Sequence, residues 1–289
     1  MIIIHYMLRI ALQAKGRLYE DSLALLSEIG IKIDDAKRKF LSQSSNFPLE
    51  VLYLRDDDIP GIVASGTASL GIVGLNEVEE KGADVDIVCR TGFSKCRISI
   101  AVPKSSGYSG PAWLEGKRIA TSYPGILRKY LEDKGINARI EVITGSVEIA
   151  PAADIADAIF DIVSSGSTLV SNGLVEVERV FESEAVVIAR KGLPEDERKL
   201  LEEILFRIES VRISRDKRYV MMNIPASSLE KALEIIPSMK SPTVLPLADR
   251  QWCSLHSIVS ADQLWEKVRQ LKEVGAEGIL VLNVDKIIL

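Results

Sequence analysis

Short apolar strands alternating with stretches of helical periodicity restrict this chain more than any other feature. Residues 8–12 read as a strand, and after the polar turn 13–18 the side chains of Leu23, Leu26 and Ile29 fall on one helical face. Residues 49–54 form the next strand. It runs into Arg55-Asp-Asp-Asp-Ile-Pro60, where an aspartate can cap a helix carrying Ile59, Ile62 and Val63. Residues 68–74 read as a third strand and 75–81 as a short helix. Strand and helix in turn demand a parallel sheet with right-handed crossovers. Residues 40–46 are expected to be a polar connection, and Gly71 and Gly74 predict close approach of another backbone or a ligand.

The pattern then starts again. Residues 85–90 and 96–102 are strands around the turn 91–95, and the Ser-, Gly- and Pro-rich stretch 103–111 is expected near a crossover between domains. A new α/β unit follows: strand 117–121, turn 122–125, helix 126–134 ended by Gly135, strand 139–143 and loop 144–148. Residues 158–163 are an apolar strand with the acid Asp161 inside it. It feeds directly into Ser164, Ser165, Gly166, Ser167 and Thr168, and residues 169–172 read as the first turn of a helix.

A strand ending in small hydroxyl residues at a helix N-terminus gathers N–H and O–H donors around one point, with the positive end of the helix dipole behind them. Such a loop can cradle a phosphate, and Asp161 is placed to accept hydrogen bonds from the hydroxyls of an attached sugar. An ordinary serine-rich turn has the same composition, so the motif by itself leaves both open. Thr121, Tyr123, Ser146 and Glu148 are expected to line the same sheet edge, and convergent loops make one pocket. Lys15 and Arg17 occupy the C-terminal edge of the first strand, where open α/β sheets bind ligands. Solvated βα loops are often basic as well.

Strands 175–181 and 185–189 carry the chain back, and an amphipathic helix over 194–210 follows. This describes two α/β lobes joined by crossover strands with a cleft between them, the plan of periplasmic binding proteins. The expected lobes are residues 1–94 with 183–213, and residues 95–182. Beyond Arg212 the order is βαββαβ, a ferredoxin-like plan over residues 214–289. It carries no obvious catalytic set and is expected to be a regulatory or assembly module.

Composition removes several classes of function. A net charge of -5 argues against a broad basic surface for nucleic acid. No window approaches the roughly 18 continuous apolar residues of a membrane span, and residues 1–7 are too short for a signal peptide, so a cytoplasmic protein is expected. Three cysteines without C-x-x-C spacing and two histidines without an acidic cluster beside them support neither a disulfide framework, a zinc enzyme nor a Ser-His-Asp hydrolase. Direct metal ligands are not identifiable.

Several segments together carry a resemblance: Leu8-Arg-Ile-Ala-Leu-Gln with Lys15-Gly-Arg-Leu18, Leu54-Arg-Asp-Asp-Asp-Ile-Pro60, Leu70-Gly-Ile-Val-Gly74, Cys96-Arg-Ile-Ser99 and Ala120-Thr-Ser-Tyr-Pro124. Gly145-Ser-Val-Glu-Ile-Ala-Pro151 and the Asp161 loop through Gly173 add to these. Tyr219-Val-Met-Met and Ser241-Pro-Thr-Val-Leu-Pro-Leu247 extend the likeness into the last domain. The chain resembles the long form of the ATP phosphoribosyltransferase family almost end to end.

That resemblance implies condensation of ATP with phosphoribosyl pyrophosphate to N1-(5-phosphoribosyl)-ATP and pyrophosphate. It also implies Mg²⁺ as cofactor, feedback inhibition by histidine and a homo-oligomer between dimer and hexamer. Asp161 with Ser164, Ser165, Gly166, Ser167 and Thr168 would hold the ribose and 5-phosphate. Lys15, Gly16, Arg17, Arg55 and Tyr123 would lie near ATP, and Asp161 and Glu148 are the catalytic candidates. Thr243 and Asn223 fall in the segment implied to bind histidine. A non-catalytic anion- or amino-acid-binding protein, or an inactive regulatory subunit of the same fold, is the alternative.

Overall fold

A computed structural model describes residues 7–34, 40–236 and 238–289; the expectation for residues 1–6, His5 included, falls outside them. The chain divides into two compact units, Met1–Leu201 and Glu202–Leu289.

The first unit opens with β1 (Leu8–Gln13), α1 (Arg17–Glu28), β2 (Leu41–Gln43), β3 (Leu49–Leu54), α2 (Ile59–Ala64), β4 (Leu70–Gly74), α3 (Leu75–Lys81) and β5 (Val85–Arg90). It continues through β6 (Cys96–Pro103), β7 (Arg118–Thr121), α4 (Pro124–Lys134), β8 (Arg139–Val142), β9 (Ala158–Val163), α5 (Ser167–Ser171), β10 (Leu174–Ser183) and β11 (Ala185–Arg190), and α6 (Glu195–Ser214) follows. Two sheets result, in the orders β2-β3-β1-β4-β11-β5 and β10-β6-β9-β7-β8. β1 pairs in parallel with β3 and β4, and β7 with β8 and β9. β11 returns antiparallel between β4 and β5, as does β6 between β9 and β10. The chain thus passes from the first sheet to the second between Arg90 and Cys96 and returns at Ser183–Ala185.

Alternation along the strands decides which side chains each layer buries. In the second sheet Ile98, Ile100, Ala158 and Phe160 pack under α4 with Leu127 and Leu131. The opposite face carries Ala101, Ile159 and Val163, covered by Val147, Ala150 and Leu169. Each such fully buried large aliphatic or aromatic side chain contributes about 1.5–3 kcal/mol.

Three expectations change. The stretch 40–46 contains β2, an antiparallel edge strand of three residues against β3; so short an element has no periodicity to read. The Ser/Gly/Pro stretch 103–111 lies past the far end of β6, opposite Leu174, and not at the crossover, because β6 pairs within the second sheet from Cys96 onward. At Gly71 the close neighbours are side chains, not backbone or ligand: a Cβ there would stand 2.7 Å from Ile59 Cγ2, 3.1 Å from Val63 Cγ2 and 3.2 Å from Ile188 Cγ1. At Gly74 it would meet the side chain of Asn76. Gly71→Ala therefore overpacks the seam between β4 and α2 and is expected to lower stability by about 1–3 kcal/mol, measured as the shift in urea midpoint against the parent chain.

The second unit contains β12 (Lys217–Pro225), α7 (Leu229–Ile235), β13 (Thr243–Pro246), β14 (Trp252–Ser260), α8 (Leu264–Glu273) and β15 (Glu277–Asn283). Its antiparallel sheet has the order β13-β14-β12-β15, which is the ferredoxin-like arrangement. Val220, Met222, Ile224, Cys253 and Leu255 face the two helices and form its core with Ala232, Leu264 and Leu271.

Candidate active site

Parallel pairing brings the C-terminal ends of β7, β8 and β9 to one edge of the second sheet. Asp161 sits two residues before the end of β9, on the face of Ile159 and Val163, opposite Ser99. Beyond β9, Ser164, Ser165, Thr168 and Ser167 are exposed, and Gly166 takes a left-handed conformation (φ 81°) that lets the loop turn into α5. The hydroxyls of Ser165 and Ser167 lie 3.0 Å apart. The helix behind this loop is a single five-residue turn, so hydroxyl and N–H donors supply most of the attraction for an anion, and the macrodipole little.

A cavity of about 190 Å³ opens here, lined by Glu148, Asp161, Ser164, Ser165, Gly166 and Thr168 with the apolar Ile159, Ile162, Val163 and Leu169. Glu148 comes from a short 3-10 turn, Val147–Ile149, after β8. Partial burial, reinforced by the Glu148 charge, pushes the Asp161 carboxyl up to about 6, although the N–H of Ile162 donates to its Oδ1 at 2.8 Å. Two carboxyl groups in one polar cavity next to a hydroxyl loop suit a ligand that combines sugar hydroxyls with phosphate.

A second cavity, of about 430 Å³, shares Ser164 with the first and runs along the crossover; Arg90, Lys95, Arg97 and Arg179 line it, with Glu182 and Glu184. Arg97 is fixed from both sides. It donates Nε and Nη2 to Glu176 at 2.5 Å each, and Nη1 to the carbonyl of Ser164 at 3.0 Å. Glu176, which also accepts from Ser99 Oγ, is held down to about 2 chiefly by Arg97. The phosphate-loop candidate is thereby tied to β6 and β10 at its first residue. Sequence reasoning gave Arg97 no role, although Arg97 and Ser99 alternate with Ile98 and Ile100 in a way that marks the polar face of β6.

On the first sheet, Lys15, Gly16 and Arg17 form the exposed turn from β1 into α1, with Gly16 at φ 93°. The Arg17 charge acts on the Cys96 thiol at the start of β6, lowering its pKa against the larger effect of burial. Arg55 is 79% exposed and paired with Asp57 at 3.0 Å. Tyr123 is 9% exposed, and its hydroxyl donates to Oε1 of Glu77 at 3.1 Å; burial and the Glu77 carboxylate together push its pKa upward.

In the second unit, Asn223 projects from the sheet face opposite the core and lines a cavity of about 470 Å³ with Asp249, Trp252 and Glu277. Thr243 pairs with His256 on β14 and is not among the residues around that cavity.

Two crossover-linked α/β lobes, with a hydroxyl loop and two carboxyl groups on one sheet edge and a basic turn at the other, define a class of cleft protein that holds phosphorylated ligands. The family profile described as ATP phosphoribosyltransferase matches residues 55–210, and that of the HisG C-terminal domain matches residues 214–286. The ATP phosphoribosyltransferases of Phocaeicola vulgatus and Bacteroides thetaiotaomicron are each 57% identical to this chain, over 98% of its length and all of theirs. A solved structure described as the ATP phosphoribosyl transferase (HisG:HisZ) complex from Thermotoga maritima aligns with TM-score 0.62 and 28% identity, over 70% of this chain and 96% of that one. The chain belongs to the ATP phosphoribosyltransferase family, in the long form that carries the C-terminal domain. Among the described residues no helix is long and apolar enough to cross a membrane.

Proposed function

We propose that this chain transfers the phosphoribosyl group of phosphoribosyl pyrophosphate to N1 of ATP, giving N1-(5-phosphoribosyl)-ATP and pyrophosphate, the committed step of histidine biosynthesis in the cytoplasm. The observation that carries this is the cavity in which Asp161 and Glu148 face Ser164, Ser165, Gly166 and Thr168. Ser164 to Thr168 hold the 5-phosphate through N–H and O–H donors, and Asp161 accepts the ribose hydroxyls. Arg97 keeps the loop in place through the Ser164 carbonyl. Lys15, Gly16, Arg17 and Arg55 lie on the nucleotide side, and Tyr123, whose hydroxyl is taken up by Glu77 and which lines neither cavity, acts there by position and not by contact with ATP.

Adenine N1 is itself the nucleophile, so no covalent intermediate with the protein is needed. C1 gains positive charge as the bond to pyrophosphate lengthens, and the leaving group gains negative charge. The chain's work is to set N1 in line with C1, exclude water and stabilise the departing anion. Lys95, Arg97 and Arg179 beside Ser164 suit that anion.

The carboxylates of Glu148 and Asp161 in this cavity are oxygen donors of the kind Mg²⁺ takes alongside substrate phosphates. Glu148 is the carboxylate that would face it, and the ion would neutralise charge on the leaving pyrophosphate.

Residues 1–94 with 183–213 and residues 95–182 act as the two walls, and residues 214–289 act as the regulatory domain. Histidine, carrying an ammonium group and an imidazole, suits the Asn223 cavity with its two carboxylates and Trp252; Thr243 acts from outside that cavity. The working assembly is a homo-oligomer between dimer and hexamer.

The test is a mixture of the full chain with both substrates and Mg²⁺, followed by absorbance in the phosphoribosyl-ATP band. Growth that needs both substrates and slows on adding histidine supports the proposal. A chain that binds one ligand without turnover is instead a binding protein or regulatory subunit.

A further inference from the structure

A buried polar cluster joins the two lobes of the first unit on the α3 side of the cleft. Leu75, Asn76, Glu77 and Val78 are all buried in the first turn of α3, although two of the four are polar. Asn76 bonds both across the seam and along its own helix. Its Oδ1 accepts from the hydroxyl of Ser183 at 2.7 Å, its backbone N–H donates to the same Oγ at 3.1 Å, and its Nδ2 donates to Glu77 Oε1 at 2.9 Å. Ser183 ends β10, where the chain returns to the first sheet. Tyr123, from the turn between β7 and α4, completes the cluster by donating its hydroxyl to the same oxygen of Glu77.

One helical turn on, the Glu80 carboxylate accepts the N–H groups of Gly125 at 2.8 Å and Ile126 at 2.9 Å. These belong to the unpaired donors at the start of a helix, so α3 of one lobe caps α4 of the other. Packing is tight enough that a Cβ on Gly125 would stand 2.9 Å from the Glu80 carbonyl oxygen.

We propose that Glu77 is a positioning residue: by holding Tyr123 it sets the angle at which the phosphoribosyl wall on the second lobe meets the nucleotide wall on the first. This rests on the transferase reading of the cleft. Tyr123 lies two residues beyond Thr121, which pairs with Phe160 on β9, so a shift of Tyr123 moves the strand next to Asp161 and its loop. Burial, with the Asp56 charge added, pushes Glu77 up to about 7 against the opposing pull of the Tyr123 hydroxyl and Lys81, and Asp57 raises it further. The Glu77 charge also acts on the Cys96 thiol of β6, whose hydrogen-bond partner is Ser183.

Each wall keeps its own ligand contacts when the seam is broken, so the signature is a split between binding and turnover. Tyr123→Phe removes one oxygen and leaves the ring in its core. It and Glu77→Ala are expected to lower kcat by about tenfold or more, since small misplacements cost that much, with Kd for phosphoribosyl pyrophosphate alone and ATP alone within about threefold of the parent. Glu77→Gln keeps the accepting oxygen and is expected to recover most of kcat. Calorimetric titration of single substrates and steady-state kinetics on the full chain read both. Unchanged kcat in Tyr123→Phe, or ATP affinity and kcat lost in equal proportion, overturns the role of Glu77. Absence of turnover in the parent chain removes the transferase reading itself, which is a separate result.

Discussion

Asp161→Ala is expected to lower kcat/KM for phosphoribosyl pyrophosphate by about 10- to 150-fold while leaving the Kd for ATP within about twofold. A carboxylate accepting sugar hydroxyls makes charge-assisted hydrogen bonds worth roughly 1.5–3 kcal/mol, and each 1.4 kcal/mol is about a factor of ten. Equal loss on both substrates would remove Asp161 from the ribose. The pH dependence carries the same assignment. With its carboxyl raised to about 6, Asp161 becomes the stronger, ionised acceptor only above that pH. The kcat/KM profile of the parent should rise through about pH 6, and Asp161→Asn should lack that limb.

Folding stability moves the other way. The folded site prefers the protonated acid, so between the ordinary value of 3.8 and about 6 the folded chain binds more protons than the unfolded one, and stability falls as pH rises through that window. Asp161→Asn should be more stable than the parent at pH 8 and equal to it at pH 3. Two pKa units correspond to nearly 3 kcal/mol; because Asp161 is only part-buried, roughly 1–2 kcal/mol is the expected gain. A variant that gains stability and loses the phosphoribosyl donor is the trade expected of a binding carboxylate held in a desolvated site.

Removing residues 214–289 is expected to abolish histidine inhibition. The remainder retains the whole of the first compact unit, Met1–Leu201, with residues 202–213 of the second, which continue α6, and every residue assigned to the two substrates. A truncated chain that turns over and is still inhibited at the parent's histidine concentration would sink the regulatory role of the second unit. Asn223→Ala is the milder arm. It removes one amide from a cavity whose other polar walls are Asp249 and Glu277, and loss of one hydrogen bond to a charged amino acid, about 1.5–3 kcal/mol, should raise the inhibitory concentration about 10- to 150-fold. Activity without histidine should be unaffected, because Asn223 belongs to the second unit.

Much of this was legible in the linear chain because it depends on local periodicity and composition. The alternation of strand and helix before residue 75 demanded a parallel sheet, and β1, β3 and β4 pair in parallel. The βαββαβ order of the last 76 or so residues is the observed ferredoxin-like sheet. Ser164, Ser165, Gly166 and Thr168 marked a candidate anion loop that the motif alone could not tell from a serine-rich turn; parallel order brings Glu148 into the same cavity as Asp161 and this loop.

What tertiary structure alone decided are contacts across long sequence separations, where no local pattern leaves a trace. Arg97 meets the Ser164 carbonyl only because β6 lies antiparallel to β9, and it meets Glu176 only because β10 pairs on its other side. Asn76 and Glu77 read in the sequence as ordinary polar residues in a helical first turn. They are buried because the crossover folds Ser183 and Tyr123 onto them. The strand order and the hydroxyl loop follow from residues a few positions apart; the angle between the two walls of the cleft depends on partners 46 and 107 residues away in the chain, which only the folded chain brings within hydrogen-bonding distance.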